Sequence, residues 1–124
     1  MRIEYEKAEC LLLVEYLTLR GIKFSHIPQE TFTKSWAVKM KNKQMGVKRG
    51  IPDYMILVPA RKTNDNITKL LFIEMKREGK GGVISKEQSG WLEELNKVPL
   101  VEAAVCRGFN EARKFIEKFT YVSK

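Results

Sequence analysis

One short run decides the fold of this chain: Leu70-Leu71-Phe72-Ile73-Glu74-Met75-Lys76. The run begins apolar and ends with a carboxylate close to an ammonium group. Successive side chains of a strand point to opposite faces, so we expect Phe72, Glu74 and Lys76 on one face. A charge at the edge of a core is costly unless it is paired or binds a metal ion. The run therefore predicts a strand that carries reactive groups at its end.

A second strand candidate, residues 54–58, follows the motif Gly50-Ile51-Pro52-Asp53. The residues between the two strands are polar and rich in asparagine, which favours a turn. An antiparallel hairpin that sets Asp53 opposite Glu74 centres this turn between Thr63 and Asn64. The same register pairs Tyr54 with Ile73, Ile56 with Leu71 and Val58 with Lys69. The hairpin thus predicts that two carboxylates and a lysine meet.

Asp53, Glu74 and Lys76 together indicate a metal-dependent active site. Two neighbouring carboxylates repel each other, and a divalent cation between them keeps both ionised. Ligation by oxygen alone indicates Mg²⁺ or Mn²⁺ rather than zinc. Lys76 can stabilise negative charge on a phosphate or orient a water nucleophile. An ordinary ion pair is the simpler interpretation of Glu74 and Lys76 alone, but the Gly50-x-Pro-Asp53 motif favours the metal site.

Hydrophobic periodicity predicts the other elements. Cys10, Leu13 and Leu17 recur at helical spacing, and Gly21 follows as a helix stop. The predicted order is helix 4–20, strand 22–27, strand 54–58, strand 70–75, helix 85–97, strand 100–106 and a last helix after Gly108. Residues 77–84 contain three glycines and are predicted to be a flexible loop. This order predicts a single α/β domain over residues 1–124, with a mixed sheet.

Positive charge is concentrated in one segment. The net charge is +8, and residues 31–52 contain six basic residues and no acidic one. Because residues 29–52 show no clear period, they are predicted to be a mobile basic loop. Such a segment can track DNA phosphates without reading sequence. The candidate DNA-binding residues are Lys39, Lys41, Lys43, Lys48, Arg49, Arg77 and Lys80.

Composition bounds the class of protein. The 124 residues are 44% hydrophobic, as expected of one folded domain. Cys10 and Cys106 stand alone, which favours reduced core thiols over a zinc site. No apolar stretch approaches the length of a membrane span or of a signal peptide core. We therefore expect a cytoplasmic protein that does not enter a membrane.

Three motifs in order resemble the VRR-NUC branch of the PD-(D/E)XK nuclease superfamily. They are Gly50-Ile51-Pro52-Asp53, Phe72-Ile73-Glu74-Met75-Lys76, and Ser85-Lys86-Glu87-Gln88 followed by Trp91. The resemblance implies a restriction-endonuclease-like α-β-β-β-α-β core and Mg²⁺-dependent cleavage of DNA. It also implies a homodimer that acts on branched DNA such as Holliday junctions. Small members of this kind resemble phage proteins, so the expected location is the bacterial host of a phage or prophage.

The resemblance also implies roles for individual residues. Asp53 and Glu74 would ligate the metal, the Met75 carbonyl would add a ligand, and Lys76 would serve the nucleophile. The family places a further glutamate on the first helix. Glu9 is favoured over Glu6 because it lies one turn nearer the core, and Glu30 is a further candidate.

Gln88 has two interpretations, and the sequence leaves both open. Ser85 and Gln88 have the spacing of a capping box at a helix start, which by itself explains both residues. The resemblance implies that Gln88 also reaches the active site. Both hold only if the cap leaves part of the Gln88 amide available.

Two other functions fit the same fold. A non-catalytic basic module would bind DNA with strong salt dependence but would not need clustered carboxylates. A sequence-specific restriction-type endonuclease would need recognition elements, for which a core of this length leaves little room. The clustered Asp53, Glu74 and Lys76 argue against the binding module, and the lack of room for recognition elements argues against the restriction-type enzyme, which leaves the structure-selective endonuclease as the favoured function.

Overall fold

A computed structural model describes residues 2–28, 35–78 and 82–120, with side chains described from residue 7 onward in the first helix. Within these ranges, the chain forms four α-helices and four strands. In chain order they are α1 (Arg2–Leu19), β1 (Lys23–His26), α2 (Trp36–Gln44), β2 (Tyr54–Val58), β3 (Lys69–Lys76), α3 (Lys86–Leu95), β4 (Val101–Arg107) and α4 (Phe109–Glu117).

The four strands form one mixed sheet in the order β1-β2-β3-β4. The β1–β2 and β2–β3 pairs are antiparallel, and β4 lies parallel to β3. The parallel pair requires a crossover, which α3 provides. The predicted α/β class with a mixed sheet is confirmed. The predicted hairpin register is also confirmed, because Tyr54 pairs with Ile73, Ile56 with Leu71 and Val58 with Lys69.

The core lies between one face of the sheet and the helices α1 and α4. Along β2, residues 54, 56 and 58 are buried while residues 55 and 57 are exposed, as a strand with one covered face requires. The fully buried side chains include Leu13 and Leu17 of α1, Ile56, Leu71 and Ile73 of the sheet, and Ile116 of α4. The core thus holds the hairpin against α1 and α4.

The prediction of a basic loop over residues 29–52 is wrong for residues 36–44, which form the helix α2. Ser35 caps this helix, since its side chain accepts a hydrogen bond from the Val38 N–H at 3.3 Å. No residue of α2 is buried. The helix therefore shows no apolar period in the sequence, although alanine, methionine, lysine and glutamine are strong helix formers. Residues 29–34 lie outside the described residues.

The structure also tests the predictions about membrane spans and about the two cysteines. In the described part of the chain, no helix is long and apolar enough to cross a membrane. Cys10 and Cys106 are free thiols, as predicted, and Cys106 is buried. Burial raises the pKa of the Cys106 thiol to about 12, so the thiol stays protonated at neutral pH.

Candidate active site

Asp53 lies where β1, β2 and β3 come together. Its Oδ2 accepts a hydrogen bond from the Met75 N–H at 2.7 Å. Its backbone carbonyl accepts another from the Ile27 N–H, also at 2.7 Å. These two bonds tie the residue to the strands on either side. The carboxyl group of Asp53 is therefore held at the end of β3, beside Glu74.

Glu74 and Lys76 complete the cluster that the hairpin register predicted. The side chain of Glu74 is only 5% exposed, and its Oε2 lies 3.9 Å from the Lys76 Nζ. The carboxyl groups of Asp53 and Glu74 are close enough to interact directly. Burial is the largest influence on Asp53 and raises the pKa of its carboxyl group, although its hydrogen bond with Met75 acts against this. The site therefore holds two neighbouring acids in a poorly solvated position.

Gln88 takes part in both of the predicted arrangements. Its Oε1 accepts a hydrogen bond from the Ser85 N–H at 2.9 Å, and its backbone N–H donates to the Ser85 Oγ at 3.1 Å. This capping box starts α3. The Gln88 Nε2 remains available and donates to the Glu74 Oε2 at 3.1 Å. One amide thus caps the helix with its oxygen and contacts the acidic cluster with its nitrogen, while a catalytic role for Gln88 stays a prediction.

The Glu9 side chain lies at the start of α4, next to the residues that directly follow β3. Its Oε1 accepts a hydrogen bond from the Phe109 N–H at 3.3 Å, at the start of α4. With Ala8, Arg77 and Glu78 it lines a cavity of about 400 Å³. Among the side chains that the structure describes, no three His, Cys, Asp or Glu residues are grouped closely enough to hold a metal ion. Glu9 is therefore not joined with Asp53 and Glu74, and its role as a ligand stays a prediction.

The remaining predicted residues lie on the surface, at the end of β3 or outside the described ranges. The Glu6 side chain and Glu30 lie outside what the structure describes. Lys39, Lys41 and Lys43 are exposed on α2, and Lys48 and Arg49 are exposed in the segment that leads to β2. Arg77 is partly buried at the end of β3, and Lys80 lies outside the described residues. The predicted DNA-binding residues that can be placed thus lie mainly on α2 and on the segment after it.

Two residues near the cluster were not predicted from the sequence. A Cβ atom at Gly82 would lie 3.0 Å from the Lys76 Cδ, so this glycine packs closely against the lysine side chain. Glu78 lies against Gly108, where a Cβ atom would come within 2.6 Å of the Glu78 Cγ. Glycines in the 77–84 segment indicated flexibility, and nothing in the sequence marked a close contact. The β3–α3 connection therefore helps to shape the surroundings of Lys76.

The donor set is suited to a hard divalent cation. Mg²⁺ in proteins commonly binds through one or two carboxylates and keeps several water molecules. Asp53 and Glu74 supply the carboxylates. The described side chains include no cluster of cysteine and histidine ligands of the kind that zinc prefers. The residues present thus fit the chemistry of Mg²⁺ or Mn²⁺.

Comparisons with known proteins identify the family to which the chain belongs. The family model of the VRR-NUC domain matches residues 3–110, which is most of the chain. The match includes Asp53, Glu74 and Lys76. A solved VRR_NUC domain protein superposes with a TM-score of 0.69 over 93% of this chain and 87% of its own. At 22% sequence identity, this second likeness concerns the fold alone. No curated protein matches the chain. The chain belongs to the VRR-NUC domain family, and membership of that family implies a nuclease of the PD-(D/E)XK type.

Proposed function

We propose that this chain is a Mg²⁺- or Mn²⁺-dependent endonuclease that hydrolyses phosphodiester bonds in branched DNA such as Holliday junctions. The observation that carries the proposal is the cluster of Asp53, Glu74 and Lys76 at the end of the β2–β3 hairpin. Binding DNA by charge alone would not require two neighbouring acids in a poorly solvated position. Their presence beside a lysine favours catalysis over a purely binding role.

The two carboxylates and the Met75 carbonyl would hold the cation. When bound, a divalent cation lowers the pKa of a coordinated water and stabilises charge on the reacting phosphate. The cation would also offset the repulsion between Asp53 and Glu74 and their poor solvation. Both carboxylates are already oriented by the protein, through the Met75 N–H and the Gln88 Nε2 respectively.

Lys76 contributes positive charge to the site, and Gln88 orients the Glu74 carboxylate. The ammonium group of Lys76 lies 3.9 Å from the Glu74 Oε2, which is an ion pair but too long for a hydrogen bond. It can therefore stabilise negative charge on a phosphate oxygen or orient the attacking water. Gln88 keeps Glu74 in place, because its amide is itself fixed by the capping box of α3.

The basic surface favours recognition of DNA by shape. The exposed lysines of α2, with Lys48 and Arg49, can contact phosphates. Phosphate contacts position a protein on DNA but carry no sequence information. A surface of this kind is suited to substrates that differ in backbone arrangement, such as three-way and four-way junctions. Symmetric cutting of a four-way junction needs two active sites, and for this reason the proposal includes a homodimer.

Cleavage of matched substrates tests this function. A four-way junction, a flapped duplex and a linear duplex of shared sequence would be incubated with the protein, with and without Mg²⁺. We expect metal-dependent cleavage with a preference for the junction. Asp53→Ala and Lys76→Ala should each lower the cleavage rate at least about 100-fold while the variants still bind DNA.

Matched controls come from residues outside the cluster. Asp65→Ala removes an exposed acid, and Lys97→Ala removes an exposed lysine that pairs with Glu94. Both should cleave at the wild-type rate. Full cleavage by a pure Asp53→Ala protein would overturn the proposal. Light scattering tests the dimer separately, since the chain mass is 14.4 kDa and a monomer at working concentration would refute only that part.

A further inference from the structure

An open groove of about 600 Å³ lies between the segment before β2 and the helix α3. It is distinct from the acidic cluster. The segment contributes Lys48 and Arg49, and α3 contributes Gly90, Trp91 and several glutamates. The groove therefore combines an aromatic ring, positive charge and negative charge within one concave surface.

The two walls of the groove are held together by specific contacts. The indole N–H of Trp91 donates a hydrogen bond to the Arg49 carbonyl at 3.2 Å, which sets the orientation of the ring. Gly50 approaches α3 so closely that a Cβ atom there would lie 2.6 Å from the Glu87 carbonyl carbon. Because both contacts join the same segment to the same helix, the groove is a built feature of the fold.

The charges indicate which part of a nucleotide the groove can accept. Glu87, Glu93 and Glu94 line it from α3 and would repel a phosphate. Carboxylates do accept hydrogen bonds from the amino and imino groups of nucleobases. Lys48 and Arg49 on the opposite wall can contact the adjoining phosphates. The layout thus fits a base that points into the groove while its backbone stays on the basic wall.

The ring of Trp91 supplies a surface on which such a base can stack. Trp91 is half-buried, so part of the ring is accessible. Every nucleobase has a face that can stack on an aromatic ring, and this contact depends little on sequence. Inside a continuous duplex both faces of a base are covered by its neighbours, whereas an unpaired base can leave the stack and reach the ring. Such a groove would therefore favour unpaired over paired DNA.

The groove lies close to the acidic cluster along α3. Trp91 comes three residues after Gln88, which contacts Glu74. Residues three apart are neighbours on a helix surface, with Cβ atoms about 5–6 Å apart. A base in the groove would therefore lie within a nucleotide or two of a phosphate at the cluster.

We propose that this groove binds one unpaired nucleobase of the DNA, next to the phosphate that is cleaved. The inference rests on the proposed function in so far as it takes DNA as the substrate. It adds a specific contact by which an opened or branched strand is selected over a continuous duplex.

Tryptophan fluorescence tests the contact without cleavage. The chain has two tryptophans, so Trp36→Phe leaves Trp91 as the single tryptophan, which can be excited selectively over the tyrosines. This protein would be titrated, in EDTA, with a single-stranded oligonucleotide, a blunt duplex of the same length and inorganic polyphosphate. We expect saturable quenching of Trp91 by the single strand. At equal occupancy, the duplex and polyphosphate should quench at least about fivefold less, because the duplex leaves only the faces of its two terminal base pairs uncovered and polyphosphate has no base.

Gly90 allows the groove to be blocked without disturbing the fold. A Cβ atom at Gly90 would meet nothing within 4 Å, so a larger side chain there extends into the groove. Gly90→Leu should weaken single-strand binding about tenfold and abolish the quenching. Gly90→Ala, the matched control, should keep both. Both variants should unfold at or above the wild-type temperature, because leucine and alanine favour a helix more than glycine does.

The outcomes separate this inference from the proposed function. Equal quenching by duplex or polyphosphate, or unchanged quenching in Gly90→Leu, would overturn the base-binding groove and leave cleavage unaffected. Loss of cleavage in every assay, with quenching and its Gly90→Leu dependence intact, would overturn the nuclease function and leave the groove standing.

Discussion

Gly50 offers the sharpest test of how the fold builds the site. Its φ angle is +93°, and its backbone lies against the start of α3. In Gly50→Ala the added Cβ would lie 2.6 Å from the Glu87 carbonyl carbon and 2.8 Å from the Gln88 nitrogen. The substitution therefore imposes two penalties, one from the backbone conformation and one from overlap with α3.

The size of each penalty follows from these two observations. A positive φ costs a residue with a side chain about 1–2 kcal/mol. Overlap with a backbone that cannot move aside costs about 1–3 kcal/mol more. Unfolding a domain of this length carries about 0.26 kcal/mol per kelvin of entropy, so each kcal/mol lowers Tm by about 4 °C. Gly50→Ala should therefore lower Tm by about 8–20 °C.

Gly46→Ala is the matched control for this measurement. Its φ angle is +82°, but a Cβ atom there would meet nothing within 4 Å. It should lose only the backbone contribution and lower Tm by about 4–8 °C. Thermal unfolding of both variants, followed by circular dichroism, measures the difference. If the two variants lose equal stability, the close approach of Gly50 to α3 contributes nothing and the reasoning fails.

Three further predictions concern chemistry and charge. Gln88→Glu keeps an acceptor for the capping box but replaces the Nε2–H donor with a third carboxylate beside Glu74, so cleavage should fall about 10- to 100-fold and Tm measured in EDTA should also fall. An unchanged cleavage rate would remove Gln88 from the site. Iodoacetamide at pH 8 should leave Cys106 of the native protein unmodified in peptide mass spectra, because burial raises the pKa of its thiol to about 12. Labelling of Cys106 as fast as in a denatured sample would contradict this. Lys41→Glu and Lys43→Glu should each weaken binding to DNA of different sequences alike and reduce the salt dependence of binding. A loss confined to one sequence would refute a phosphate-tracking role for α2.

The central hairpin could be predicted because its signals are local. The alternation along β2 and β3 and the polar residues between them suffice to set the register. Once Tyr54 faces Ile73, Asp53 must lie beside Glu74. The amino-acid sequence alone therefore predicts that these two acids are neighbours.

The helix α2 shows where sequence reasoning fails. A helix is usually recognised by the apolar stripe that it buries, and α2 buries no residue. Its helical propensity and its Ser35 cap were present in the sequence, but the missing apolar period and the nearby Gly46, Gly50 and Pro52 favoured a loop. The positive charge was predicted correctly, and only its placement on a helix was missed.

The sequence by itself determined the α/β class, the hairpin register and the meeting of Asp53, Glu74 and Lys76. The register and this meeting could be predicted because they depend on alternation and a turn between strands that are adjacent in the chain. Only the tertiary structure decided how the helices meet that hairpin. The contact of Gln88 with Glu74, the bond of Glu9 with Phe109 and the hydrogen bond of Trp91 with Arg49 join residues from different elements. Such contacts depend on how helices pack on the sheet, which no local period encodes.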